Sequence, residues 1–197
     1  TFMCEIMTNN QMIAVTSRKL CTRPFLEQTE RAAKRHPKAI MLREKDLPEE
    51  TYEGLAEEVF TLCRKYGIEL IIHNFPAVAE RLGVKTLHLP LAELRKFQEE
   101  KRVGEQGMKL GCSVHSPSEA REAQQLGAAY LTAGHIYATS CKPGIPPRGL
   151  DFLREVCQSV IIPVYAIGGI GLEDGRLEEV MAAGAKGACI MSDFMRV

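Results

Sequence analysis

Between Gly134 and Gly149 the chain brings together His135, Thr139, Ser140, Cys141, Lys142 and Arg148, among glycines and prolines that forbid regular structure. A loop of that composition is suited to chemistry. The preceding run Tyr130-Leu131-Thr132-Ala133-Gly134 reads as a buried strand, so His135 stands at its carboxyl end, where α/β folds place their active sites. Imidazole changes charge near neutral pH, which makes His135 the first candidate for general acid/base work. The alternative is a histidine that only caps the strand. Cys141 is a second candidate, as a nucleophile beside the cationic Lys142. It ranks lower because the sequence fixes no base beside it.

Three further groupings fall at strand ends. Arg43-Glu44-Lys45-Asp46 turns abruptly from an apolar run to four charges. It is either a solvated strand end or an anion clamp, with a guanidinium fork on carboxylate or phosphate and a lysine point charge beside it. Ile167-Gly168-Gly169-Ile170-Gly171 and Met191-Ser192 end two later runs. Glycines let a phosphate approach backbone N–H groups, though a Gly-Gly pair alone often marks only a turn. Ser113 and His115 alternate onto one face of their strand and line the mouth together or face outward together. His73, Asn74 and His88 fall near the ends of two more strands, and no carboxylate cluster accompanies them, which argues against a tightly held Mg²⁺.

The elements that must position these residues recur regularly. Eight short aliphatic or β-branched runs begin at Met12, Ala39, Glu69, Thr86, Leu110, Tyr130, Ile161 and Gly187, about 25 residues apart on average. Helical periodicity is clearest over Glu50–Tyr66, Pro117–Leu126 and Leu172–Ala183, with Gly67, Gly127 and Gly184 as stops. Eight βα units of this size predict an α/β fold, a compact (β/α)8 TIM barrel over a single domain, residues 1–197, with residues 1–11 as an N-terminal extension. An open doubly wound sheet is the runner-up and leaves two strands unplaced. Only Asp193–Val197 remains for the last helix, so it is short or truncated, or a neighbouring subunit of a homodimer covers that edge.

Composition narrows the function further. The 25 Lys and Arg balance the 25 Asp and Glu. That balance supplies no basic field for nucleic acid and no polybasic membrane anchor. Seven scattered cysteines without CxxC spacing fit neither a disulfide framework nor a zinc site. No apolar run reaches the ~20 residues of a membrane helix, and the first residues lack a signal peptide's plan. A reduced cytoplasm is the expected setting.

Met41-Leu42-Arg43-Glu44-Lys45, Cys112-Ser113-Val114-His115, the long loop ending in Lys142, Ala166-Ile167-Gly168-Gly169-Ile170 and Met191-Ser192 resemble, in order, the motif series of the thiamin phosphate synthase family. The resemblance runs from about Met12 to the C-terminus. Synthases of that family carry Asn-Asp after strand three, where Asp helps hold Mg²⁺; the gapless match here is His73-Asn74. A second acidic ligand falls near Glu93. The synthase loop opens Gly-Pro, whereas this one opens Gly134-His135 and continues through Thr139 to Cys141-Lys142. That pattern is similar to the thiazole tautomerase, or TenI, branch. The resemblance therefore implies a metal-independent isomerase that aromatises a thiazole carboxylate phosphate, with His135 as its acid/base. It implies Gly168, Gly169, Met191 and Ser192 on the phosphate, and Arg43, Lys45, Ser113, Thr139 and Lys142 as further substrate contacts. Two alternatives stay open: a Mg²⁺-dependent synthase using Glu93, and a non-catalytic regulatory protein of the thiamin pathway.

Overall fold

The computed structural model describes residues 10–100 and 107–197, so the expected extension over residues 1–11 lies almost wholly outside the described residues. Eight strands run in chain order: β1 (Met12–Val15), β2 (Ala39–Leu42), β3 (Glu69–His73), β4 (Thr86–Pro90), β5 (Lys109–Val114), β6 (Tyr130–Gly134), β7 (Val164–Ile167) and β8 (Gly187–Ile190). They close into a barrel in that order, which removes the open-sheet alternative. Pairing is parallel, as in Ala14 opposite Ile40, Ser113 opposite Thr132 and Ala166 opposite Ala188. β1, β2, β6 and β8 are buried at every position. Burial on both faces is why they read as continuous apolar runs without alternation.

Among the described residues seven helices lie between the strands: α1 (Phe25–Lys34), α2 (Glu49–Tyr66), α3 (Pro76–Leu82), α4 (Leu91–Glu99), α5 (Pro117–Gln125), α6 (Gly149–Ser159) and α7 (Arg176–Ala182). α2 buries Tyr52, Ala56, Val59 and Cys63 along one stripe. It stops at Gly67, whose φ of 65° lets the Ile68 N–H turn back onto the Cys63 carbonyl at 2.8 Å.

Packing divides the chain into two compact units, one up to Leu87 together with Ile190–Val197, the other His88–Cys189. In the first, the Tyr52 hydroxyl donates to the Leu42 carbonyl at 2.7 Å and accepts the His73 N–H at 3.1 Å. It joins α2 to the carboxyl ends of β2 and β3. Tyr52→Phe strands two buried backbone groups, and urea unfolding should show a loss of about 1–3 kcal/mol. An unchanged midpoint would remove Tyr52 from this role.

No helix follows β8. Residues 192–196 form turns instead, with the Met195 N–H donating to the Met191 carbonyl at 3.0 Å. Phe194 and Met195 are wholly buried, and the Gln28 amide donates to the Phe194 carbonyl at 2.9 Å, so this unit fills the short-helix position with its own residues.

In the second unit, Ser116 caps α5 by accepting the Glu119 N–H at 3.1 Å, and the Glu119 carboxylate returns to the His115 N–H at 2.6 Å. The pair resembles a capping box, with the carboxylate on the N–H one residue before the cap. Two expectations fail here. Ile161–Pro163 is a bend, with Ile161 94% exposed, and its polar backbone is met by the Gln124 side chain at 2.8 Å from the Ile161 N–H. The last helix begins at Arg176, not Leu172, because the Asp174 carboxylate captures the N–H groups of Gly171 at 2.7 Å and Arg176 at 3.0 Å and holds a turn.

Candidate active site

His135 follows β6 directly, is 5% exposed, and has its Nε2 3.2 Å from the Ile145 carbonyl. A carbonyl only accepts, so Nε2 carries the proton and Nδ1 of the neutral ring is left as the basic nitrogen. The loop is closed at its neck. The Arg148 N–H donates to the His135 carbonyl at 2.9 Å, the Gly149 N–H to the Ile136 carbonyl at 3.0 Å, and Arg148 Nε to the Gly134 carbonyl at 3.0 Å. Arg148 and Gly149, read as part of a polar crowd, are therefore the clasp that fixes His135.

The same segment is sewn to the end of β7. The Ile136 N–H donates to the Ile167 carbonyl at 2.9 Å and the Tyr137 N–H to the Gly168 carbonyl at 3.0 Å. A Cβ on Gly168 would fall 2.3 Å from the His135 Cβ, and one on Gly169 would fall 2.6 Å from the Ala138 carbonyl oxygen. Both glycines are thus required by the approach of the His135 loop, independently of any ligand. Their carbonyls are spent, Gly168 on Tyr137 and Gly169 on the Arg176 guanidinium. Arg176 also lies 4.4 Å over the Tyr137 ring, whose hydroxyl donates to Glu179. Burial and the Glu179 carboxylate push the Tyr137 phenol up to about 12.

Thr139 is half-buried, and its hydroxyl accepts the Cys141 N–H at 3.3 Å in a local turn. Cys141 and Lys142 are exposed at the loop tip.

Ser113 on β5 and His115 have different partners. β5 ends at Val114, and His115 is committed to Glu119, with Nδ1 at 3.4 Å from that carboxylate. Ser113 instead joins His88, whose Nε2 is 2.8 Å from its Oγ. His88 sits inside β4 and is 1% exposed, so it belongs to the interior and not to a strand end.

In the first unit the charged tetrapeptide divides. Glu44 is buried; it accepts the Arg18 N–H at 2.8 Å and its carboxylate lies 3.4 Å from the Arg18 guanidinium, which also meets Asp46 at 3.0 Å. Burial pushes the Glu44 carboxyl above its usual range, against the pull of Arg18 and of the Thr16 hydroxyl. Glu44 and Asp46 therefore anchor the turn Arg18–Leu20 after β1. Arg18 escaped the sequence reading, since only the fold brings it beside Glu44. Arg43 is half-buried, its N–H donating to Thr16 Oγ1 at 3.0 Å, and Lys45 is exposed. Met191 and Ser192 are half-buried just after β8.

The donor set fits Mg²⁺ poorly. Asn74 is neutral, with a buried Oδ1 that no described residue hydrogen-bonds. The Glu93 carboxylate lies 2.9 Å from the Lys96 ammonium on α4. Among the described residues no group of three or more His, Cys, Asp or Glu comes together as a cation site. Nor is any described helix long and apolar enough to cross a membrane.

Residues 12–194 match the family model described as thiamine monophosphate synthase. A thiamine-phosphate synthase of Syntrophomonas wolfei is 31% identical, over 96% of this chain and 90% of its own length. One from Thermus thermophilus is 36% identical, over 82% of this chain and 76% of its own. The solved thiamine phosphate pyrophosphorylase of Pyrococcus furiosus superimposes with a TM-score of 0.80 at 29% identity, covering 95% of this chain and 88% of that one.

Proposed function

Because the chain belongs to the thiamine monophosphate synthase family, we propose that it works on a phosphorylated thiazole of thiamin biosynthesis, and that the step is a metal-independent proton shift carried by His135. The observation that carries this reading is the hydrogen bond from His135 Nε2 to the Ile145 carbonyl, which leaves Nδ1 as the base. In the step, Nδ1 takes a proton from a ring carbon of the thiazole carboxylate phosphate. The C–H electron pair moves into the ring, the exocyclic double bond shifts its electrons outward, and the imidazolium returns the proton to the exocyclic carbon. Atoms and charge balance without a co-reactant.

On this reading the amide side of Gly168 and Gly169, with Met191 and Ser192, meets the phosphate, and the Ser192 hydroxyl adds a donor. Arg43, Lys45 and Lys142 supply charge for the carboxylate and phosphate, and Ser113 a hydroxyl. Thr139 shapes the loop that carries Lys142. A cytoplasmic setting, in which the thiols stay reduced, belongs to the same proposal.

A second reading is favoured by the names of the relatives, which are synthases. In it the chain is a transferase joining a pyrimidine pyrophosphate to the thiazole phosphate. Asn74 and the Lys96-bound Glu93 are poor ligands for the Mg²⁺ which that reaction uses. One pair of assays separates the readings. Thiazole isomerisation that persists in excess chelator is the expected result; Mg²⁺-dependent pyrophosphate release from the two synthase substrates, without isomerisation, would establish the transferase.

A further inference from the structure

Inside β4, β5 and β6 four polar side chains form a network of which the reaction above uses only Ser113. His88 Nε2 lies 2.8 Å from Ser113 Oγ and 3.5 Å from Thr132 Oγ1, and its Nδ1 lies 3.1 Å from the Tyr130 hydroxyl. Thr132 Oγ1 donates to Ser113 Oγ at 3.2 Å. The strand register makes this possible, with Ser113 beside Thr132 and Gly111 beside Tyr130. Gly111 has a specific part in it. A Cβ there would fall 2.1 Å from the Tyr130 ring, so only glycine lets that ring cross β5 to reach His88 on β4.

The direction of the protons follows from donor and acceptor strength. A phenol O–H is a stronger donor than acceptor, and a neutral imidazole has one good acceptor nitrogen. Tyr130 therefore donates to Nδ1, which places the ring proton on Nε2, from where it donates to Ser113 Oγ. Thr132 fills the second lone pair of that oxygen. Both acceptor sites of Ser113 are then occupied, and its own proton is the one left over. His88, Tyr130 and Thr132 are 1%, 4% and 3% exposed, whereas Ser113 is half-buried near the carboxyl end of β5. Of these four side chains Ser113 is the one that is more than marginally exposed.

We propose that His88, oriented by Tyr130, is a positioning residue that makes the Ser113 hydroxyl an obligate hydrogen-bond donor, so that this point of the pocket selects an anionic oxygen on the ligand and rejects a donor group. The part of the proposal that concerns the ligand rests on the thiazole reading; the part that concerns proton direction does not. A hydroxyl that can only donate discriminates, because a ligand donor placed against it leaves two hydrogens facing each other.

The test has two arms on the full chain. Nitrogen-15 NMR of the histidine rings, with His88 assigned by its loss in His88→Gln, should show the Nε2–H tautomer in the absence of any ligand. The Nδ1–H tautomer would overturn the proposal, and because no ligand enters this arm, the result stands whatever the substrate is. In the second arm, calorimetry with the thiazole carboxylate phosphate should find binding about 10-fold weaker for Ser113→Ala, the scale of a lost hydrogen bond to a charged group. His88→Leu should weaken it similarly, and the double variant no further than Ser113→Ala alone. His88→Gln, whose amide N–H can still donate to Ser113, should bind within about threefold of wild type. Additive losses in the double variant, or no rescue by Gln, would also overturn the positioning role.

Discussion

His135→Gln is expected to slow isomerisation of the thiazole carboxylate phosphate by about 10²–10⁴-fold, the range that positioned acid/base groups contribute. Glutamine places an amide N–H at about the position of Nε2, so the loop retains the contact the imidazole makes with the Ile145 carbonyl at 3.2 Å. It loses the basic nitrogen. The deficit should therefore fall on kcat, with KM little changed, because the phosphate contacts assigned to Gly168, Gly169, Met191 and Ser192 are untouched. Exchange of the transferred proton with deuterated solvent should fall in parallel. A variant that isomerises at the wild-type rate would sink the proton-shift reading, since no other imidazole follows β6.

The largest effect on the folded state is expected from Gly168→Ala. The new Cβ would lie 2.3 Å from the His135 Cβ and 2.7 Å from its Cα, at a backbone φ of 107° that L-residues rarely adopt. Steric overlap and dihedral strain cost roughly 1–3 kcal/mol each, so the loss should reach several kcal/mol. Gly175→Ala is the control. Its φ is 75°, but nothing lies within 4 Å of the added Cβ, so only the dihedral cost of about 1–2 kcal/mol applies. Urea unfolding of the two variants measures the difference. Equal losses would mean that the His135 loop yields readily, and that the tight seam between it and β7 is not what holds the imidazole.

The barrel was legible because its strands are buried on both faces. Runs such as Tyr130 to Gly134 and Gly187 to Ile190 carry no alternation, and their even spacing counts the βα units. Ends were harder. Leu172 to Gly175 has the composition of a helical first turn, yet Asp174 takes two backbone N–H groups for itself and delays the helix. Ile161 and Ile162 have β-branched side chains, yet a neighbouring glutamine and not a strand receives the Ile161 backbone. His135 stood out as a candidate because its loop is contiguous in sequence. The His88 network did not, because it draws on three strands, with His88 and Ser113 25 residues apart and Ser113 and Thr132 19 apart, and only cross-strand register sets them side by side. Its signal in the sequence is faint: a histidine, a serine and a threonine inside otherwise apolar strands. Glu44 shows the opposite error, a charge at a strand end that looks solvated and is instead buried against Arg18.

The clasp formed by Gly134, His135 and Ile136 with Arg148 and Gly149 separates two properties that a catalytic loop usually couples. Residues on the neck set the position of the imidazole, while Ser140 to Pro147 lie outside it and are exposed. Among these only the Ile145 carbonyl is called on by His135. The stretch from Ser140 to Gly144 can therefore change length or polarity over evolutionary time with the reacting nitrogen left in place. On the proton-shift reading, preference among related phosphorylated rings can drift there while the imidazole keeps its place.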